Sequence, residues 1–388
     1  MDKENNKNLA SNCDLSDEYN VFILGAGFSK AINSQYPTLK ELSSSINKRY
    51  KFLVDNKEEC FDKATKLLAE YYFSLPNAIR NNFEHLLSYL SSSFPWKTLI
   101  DQNLDKALYQ DILRQLLHEF EHLPNSFSDR CLALGTFINK SDATCLTFNY
   151  DLLLEALLSQ SASISNVEEK PHTLDAGYKN YYKINLETFD VNNYLSNEYA
   201  DNVLIHKLHG SINWIYRPNG TIGELKFNPR TNNYTLPEGY LPYIVPPVTD
   251  KSGFYNNVYL SQLWQYAKDA LSMADNIYII GYSFPKTDLS SEFLMNFALQ
   301  NTYNVKDWGK GVYFVNLKES STIKNLCKQR GIELIQITCK DCPYYKKAGV
   351  SEACKECHNT PLDKLIKDVI AKKLNKVSEG ERCRIDLS

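Results

Sequence analysis

The chain has 388 residues, 43% of them hydrophobic, and a formal net charge of −3, so at roughly 150 residues per unit two or three structural units with a sizeable core are expected. The near-neutral charge excludes a global basic footprint for nucleic acid, and no direct nucleic-acid binding is expected. No apolar run reaches about 18 residues and MDKENNKNLASNCDLSDEYN has no signal-peptide core, so no membrane contact, a cytoplasmic location, and cysteines present as thiols or metal ligands are expected.

Residues 1–18 are polar and Asn-rich and are expected to form a mobile tail. Val21 to Gly25 reads as a buried parallel strand, and Gly25-Ala26-Gly27 as a tight turn that lets backbone approach a pyrophosphate. Ser29 and Lys30 would open the next helix or loop. Thr38 is a plausible N-cap for a helix carrying Leu39, Leu42 and Ile46 on one stripe. Residues 57–135 read as all-helical, with Leu104, Leu108, Ile112, Leu116 and Phe120 at helical spacing and Pro124 as a stop. That block is too long for a crossover helix and is taken as an insertion. Ala143 to Thr147 reads as a second strand, followed by a helix from Leu152. Residues 160–200 are irregular and Tyr-rich, with Tyr178, Tyr181 and Tyr182. Residues 203–216 alternate around His209, and Arg217-Pro218-Asn219-Gly220 reads as a turn. A helix from Val258 to Met273 leads to a strand at Ile277 to Ile280, and Asp288 can cap the helix after it. Val312 to Val315 and Ile332 to Ile337 read as the last strands, and Leu362 to Leu374 as a final helix.

Four motifs sit at the ends of these strands: Gly25-Ala26-Gly27-Phe28-Ser29, Thr147-Phe148-Asn149-Tyr150-Asp151, Lys207-Leu208-His209-Gly210 and Gly281-Tyr282-Ser283-Phe284. Open α/β sheets hold dinucleotides at such strand ends. Any one of them alone reads as an ordinary turn. Their joint order and spelling resemble the Sir2 family, and especially its bacterial Sir2-like NADase branch. Asn82-Phe83-Glu84-His85-Leu86-Leu87-Ser88 resembles a helix near the same point in that branch.

The resemblance spans about residues 19–338 and implies an α/β, Rossmann-like, doubly wound and mostly parallel sheet. It further implies hydrolysis of NAD+ to nicotinamide and ADP-ribose. Asn149 would hold ribose hydroxyls and orient the attacking water, with His209 as the catalytic histidine. An imidazole with a pKa near 6.5 can take a proton at neutral pH. Gly25, Ala26, Gly27, Ser29, Gly281 and Ser283 would contact phosphates. Thr147 and Asp151 would line the nicotinamide-ribose pocket, with Asp151 facing the carboxamide, and Asn316 would meet the adenosine ribose. Phe148 stands where sirtuins usually carry Gln, and Tyr282 where they carry Thr. The branch also implies an effector of antiphage defence. It would be a homo-oligomer silenced until a partner acts, for example an ATPase or an Argonaute-like protein. A protein deacylase and a non-enzymatic sensor or scaffold are the alternatives. Pro246 and Pro247 weigh against the first, because they lack the N–H that strand addition by a peptide needs.

Cys339-x2-Cys342-x11-Cys354-x2-Cys357 has the spacing of a closed structural zinc site, with His358 a further candidate ligand. It predicts a zinc-ribbon-like appendage over residues 339–388. His118-Glu119-Phe120-Glu121-His122 matches HExxH but is rejected as a metal site. At 100° per residue His118 lies about 200° and His122 about 240° from Leu116 on the apolar stripe, on the solvent side.

Overall fold

The structure is a computed structural model and describes residues 18–56, 62–120, 123–141, 143–164, 203–216, 222–224, 227–228, 233–234, 240–248, 251–285, 288–300, 311–339 and 360–378. The N-terminal tail, Tyr178, Tyr181, Tyr182, the Arg217–Gly220 turn, His122, His358 and three of the four knuckle cysteines (Cys342, Cys354 and Cys357) lie outside them.

Six strands make one sheet: β1 (Asn20–Leu24), β2 (Thr144–Thr147), β3 (Leu204–Lys207), and, after five short strands described below, β9 (Asn276–Ile280), β10 (Gly311–Val315) and β11 (Glu333–Ile337). Their order is β11-β10-β9-β1-β2-β3 and every pairing is parallel. The chain builds outward from β1 to β3, then returns to the other side of β1. That is the Rossmann strand order, and its reversal falls between β1 and β9. Both of these central strands are buried at every position, as a parallel sheet covered on both faces requires. Phe22, Tyr278 and Tyr313 lie in register across β1, β9 and β10 and stack at 4.7 and 4.6 Å. Cross-strand aromatic pairs of this kind add to what burial alone supplies.

Helices α1 (Ala26–Ile32) and α2 (Leu39–Asp55) follow β1. Helix α1 begins at Ala26, so Ser29 sits inside it rather than at its start. Thr38 caps α2, as expected from the sequence, and Glu41 completes a reciprocal capping box that this expectation did not include. Then come α3 (Lys63–Ser74), α4 (Asn77–Arg80), α5 (Phe83–Ser91), α6 (Leu99–Phe120) and α7 (Asp129–Lys140). Among its described residues the regular elements of the predicted block are all helices, joined by short connections. Its polar joints are specific. Asp111 accepts from Arg49 at 3.0 Å and from the Tyr50 hydroxyl at 2.6 Å, and buried Lys97 pairs with buried Asp105 at 2.8 Å. His118 is exposed, in line with its predicted solvent side.

After α8 (Leu153–Ile164) and β3, the chain changes sheets. The alternating stretch at 203–216 is two strands. β3 closes the parallel sheet, and β4 (Gly210–Tyr216) leaves it to pair antiparallel with β5 (Ile222–Glu224) and β8 (Pro242–Ile244). The two-residue strands β6 (Phe227–Asn228) and β7 (Asn233–Tyr234) pair with each other. Gly210 makes the corner, with φ +74° and its Cα side closed by Tyr243 O. Helices α9 (Ser252–Tyr255) and α10 (Val258–Met273) precede β9. Helix α11 (Leu289–Gln300) follows β9, and α12 (Ser321–Arg330) joins β10 to β11. The last helix is continuous through a π-helical turn, Pro361–Leu365, Ile366–Ile370 and Ala371–Ser378. Its Leu362, Leu365, Ile366 and Ile370 join the main hydrophobic core. No helix among the described residues is long and apolar enough to cross a membrane.

Candidate functional site

Parallel strands aim their C-terminal ends the same way, so the four motifs meet at one edge of the sheet. There they surround a cavity of about 230 Å³, lined by Ala26, Ser29, Asn149, Asp151, His209, Gly281 and Ser283 among others. It lies at the strand-order reversal, where ligands bind in open α/β sheets.

The two glycine motifs interlock. Gly25 N donates to Ile280 O at 3.1 Å and Gly27 N to Gly281 O at 2.9 Å. A Cβ on Gly25 would lie 2.7 Å from Gly281 O, and one on Gly281 (φ +64°) 2.1 Å from Phe28 N. Mutual approach of the two turns therefore requires these glycines before any ligand arrives. Phe284, just beyond Ser283, is buried with φ 51°, a left-handed non-glycine of the kind that clusters at functional sites.

Asn149, Ser29 and Asp151 form one buried chain. Asn149 Nδ2 donates to Gly25 O and to Ser29 Oγ, both at 2.9 Å. Ser29 Oγ donates to Asp151 Oδ2 at 2.8 Å, and Asp151 Oδ1 accepts from Leu153 N at 3.0 Å. Asp151 is thus both pocket wall and cap of α8. With both donors of Asn149 engaged, its Oδ1 is the acceptor left to meet a hydroxyl or water. Burial raises the Asp151 carboxyl above its usual range, while Lys207 and the Ser29 hydroxyl pull it down. Lys207 is fully buried, donates to Asp151 O and pairs with buried Glu155 at 3.0 Å. Thr147 stands behind the cavity, its Oγ1 accepting from Asn149 N at 3.1 Å. Asn316 also stands behind, donating to Tyr282 O at 3.3 Å.

His209 occupies the bend between β3 and β4, 6% exposed. Phe148 meets it edge-on at 5.0 Å and stacks on Tyr282 at 4.2 Å. The two departures from the sirtuin pattern, Phe148 and Tyr282, therefore fit each other. The imidazole is not at its ordinary 6.5. Burial, and secondarily the charge of Lys251, hold it down to about 3, with Asp288 pulling the other way. The ring is neutral at pH 7.

Several lining residues have no site role assigned from the sequence. Glu84 and Phe120 come from the helical block, which therefore supplies part of a wall of the cavity, and Tyr36 comes from the connection between α1 and α2. Asp288 does not use its side chain as a cap. Its carboxylate accepts from the Tyr282 hydroxyl at 2.6 Å and pairs with Lys251 at 3.0 Å, while its carbonyl accepts from Ser291 N. Of the knuckle cysteines, the described Cys339 is buried at the end of β11.

No family model and no curated protein matches the chain. Among solved structures it is similar to a Sir2 homologue in complex with NAD, at 12% identity and a TM-score of 0.43 over 94% of this chain and 93% of that one. It is also similar to a mutant Sir2 homologue in complex with ADP-ribose, at 12% identity and 0.40 over 94% and 96%. A third is Sir2Tm bound to a propionylated peptide, at 13% and 0.37 over 93% and 95%. Sir2 homologues are thus structural neighbours of this chain, remote in sequence, and what the cavity does follows from its own residues.

Proposed function

We propose that the chain is an NAD+ glycohydrolase that cleaves the nicotinamide–ribose bond and releases nicotinamide and ADP-ribose. The observation that carries this reading is the convergence of Asn149, Asp151, His209 and the interlocked Gly25–Gly27 and Gly281–Ser283 turns around one cavity at the strand-order reversal. Nicotinamide leaves as a neutral ring, so the transition state is oxocarbenium-like and asks for positioning more than for strong acid catalysis. Asn149 Oδ1 is oriented by its two donated hydrogen bonds to hold a ribose hydroxyl or the water. Neutral His209 takes the proton as that water attacks. Asp151 faces the carboxamide, the two turns and Ser283 take the phosphates, and Phe148 with Tyr282 keeps bulk water from the reacting carbon.

The test is to incubate purified protein with NAD+ and resolve the products. Turnover should fall at least ~10²-fold in folded Asn149→Ala and His209→Ala. Near-parental activity in either variant removes that residue from the mechanism. No NAD+ loss even in lysate from infected cells overturns the hydrolase reading.

Uncontrolled NAD+ loss would be toxic, which supports a regulated role. The chain then acts in the cytoplasm as a homo-oligomeric, NAD-depleting effector of antiphage defence, released by a partner such as an ATPase or an Argonaute-like protein that favours the open state by differential binding. The helical block, which walls the cavity, is the surface through which gating would act. NAD+ measured in cells with and without infection separates this role from a housekeeping enzyme. The deacylase reading is weaker. Val245 N is already donated to His209 O at 2.7 Å, and Pro246 and Pro247 have no N–H to offer a peptide.

A further inference from the structure

His209, Lys251 and Asp288 come from three separate connections: the bend after β3, the residue before α9 and the residue before α11. All three are buried, at 6, 8 and 4% exposure. Asp288 Oδ1 pairs with Lys251 Nζ at 3.0 Å, and its Oδ2 lies 3.5 Å from His209 Nε2. Nε2 is fully buried and makes no hydrogen bond. A buried polar atom is normally paired. Here an imidazole nitrogen is left facing a carboxylate that is held in place from its other sides, by Lys251 and by the Tyr282 hydroxyl. The charge of Asp288 is also felt at the Tyr150 and Tyr255 hydroxyls, and Phe148 and Trp264 give His209 apolar walls.

We propose that Asp288 and Lys251 are positioning residues for His209. Lys251 fixes Asp288 and adds its charge to the burial that keeps the imidazole neutral in the resting site, and Asp288 becomes the counter-ion of the imidazolium once a proton has been taken up. The proposal rests on the hydrolase reading above. In the step concerned, water gives a proton to the imidazole while its oxygen lone pair bonds the ribose carbon. The carbon–nitrogen bond breaks with its electron pair going to the nicotinamide ring, and the imidazolium later returns its proton to solvent. Asp288 and Lys251 also line the cavity, but their role is neither to hold the ribose nor to take the proton. They act on the charge of the group that does.

The two partners pull His209 in opposite directions, so removing each should move its titration oppositely. Asp288→Asn keeps the shape and loses the charge. His209 should become harder to protonate, and kcat should fall about tenfold or more with little change in KM, since an interaction made only after proton uptake is lost. Asp288→Glu, which restores the charge, should recover part of that loss. Lys251→Met keeps the apolar stem, and His209 should titrate at a higher pH than in the parental chain. The measurement is side-chain 15N NMR of the full chain over pH, with the His209 signals assigned by their loss in His209→Gln. The acid limb of kcat is followed in parallel, and far-UV circular dichroism confirms folding. Opposite shifts with partial rescue by Glu support the assignment. Equal shifts, shifts in the same direction, or Asp288→Glu no better than Asp288→Asn overturn it. Opposite NMR shifts in a chain that leaves NAD+ untouched support the charge pairing and overturn the hydrolase reading instead.

Discussion

Alanine placed at the glycines of the interlocked turns should separate two costs that usually come together. Gly331 has φ +65° and nothing within 4 Å of an added Cβ, so Gly331→Ala reads backbone strain alone, about 1–2 kcal/mol. Gly25 has ordinary extended backbone (φ −120°), but its added Cβ would lie 2.7 Å from Gly281 O and Tyr282 Cα. Gly25→Ala therefore reads steric overlap with backbone that cannot swing aside, about 1–3 kcal/mol. Gly281→Ala incurs both, with φ +64° and contacts of 2.1 Å to Phe28 N and 2.3 Å to Gly27 C. Its cost should approach the sum, about 2–5 kcal/mol. Gly253→Ala, whose Cβ meets nothing within 4 Å, is the neutral control. Urea unfolding followed by Trp fluorescence ranks the four variants by midpoint at matched slope. If Gly281→Ala costs no more than Gly331→Ala, the turns are not in rigid contact, and the argument that their closeness shapes the cavity fails.

Lys207→Met should destabilise the chain by about 3–5 kcal/mol, because it removes the counter-ion of the buried Glu155 carboxylate. Adding Glu155→Leu should recover much of that loss in the same unfolding assay. Because His209 is depressed from 6.5 to about 3 on folding, the unfolded chain binds the extra proton between those values. Its contribution to stability is whole above about pH 6.5 and is lost progressively as pH falls towards 3. A folded His209→Gln variant should show a shallower loss of thermal midpoint across that window, and an unchanged slope would contradict the burial argument. Elemental analysis of protein purified without chelator should find about one zinc per chain, lost on paired Cys→Ser substitution at Cys354 and Cys357. Metal-free protein would rule out the Cys339, Cys342, Cys354 and Cys357 site.

The sequence by itself determined most strands of the parallel sheet and most helices of the described chain, because buried parallel strands are written as unbroken apolar runs. Asn20–Leu24 and Asn276–Ile280 are legible without any partner. It also placed polar and glycine motifs at the strand ends, and the N-cap at Thr38. Only the tertiary structure decided what those motifs do to one another. The glycine at 281 faces Gly25 and Gly27 across more than 250 residues of chain, a contact no local pattern records. The residue at 288 read as a helix cap, because an Asp before a helix usually is one, yet its carboxylate is drawn to Tyr282 and Lys251 instead. The stretch around His209 read as a single alternating segment. The bend at Gly210 divides it between two sheets, because one strand edge pairs with β2 and the other with β8. The protonation of His209 was beyond the sequence for the same reason. It depends on how completely distant segments exclude water from the ring and which charges they bring beside it, and both are set by packing rather than by neighbours in the chain.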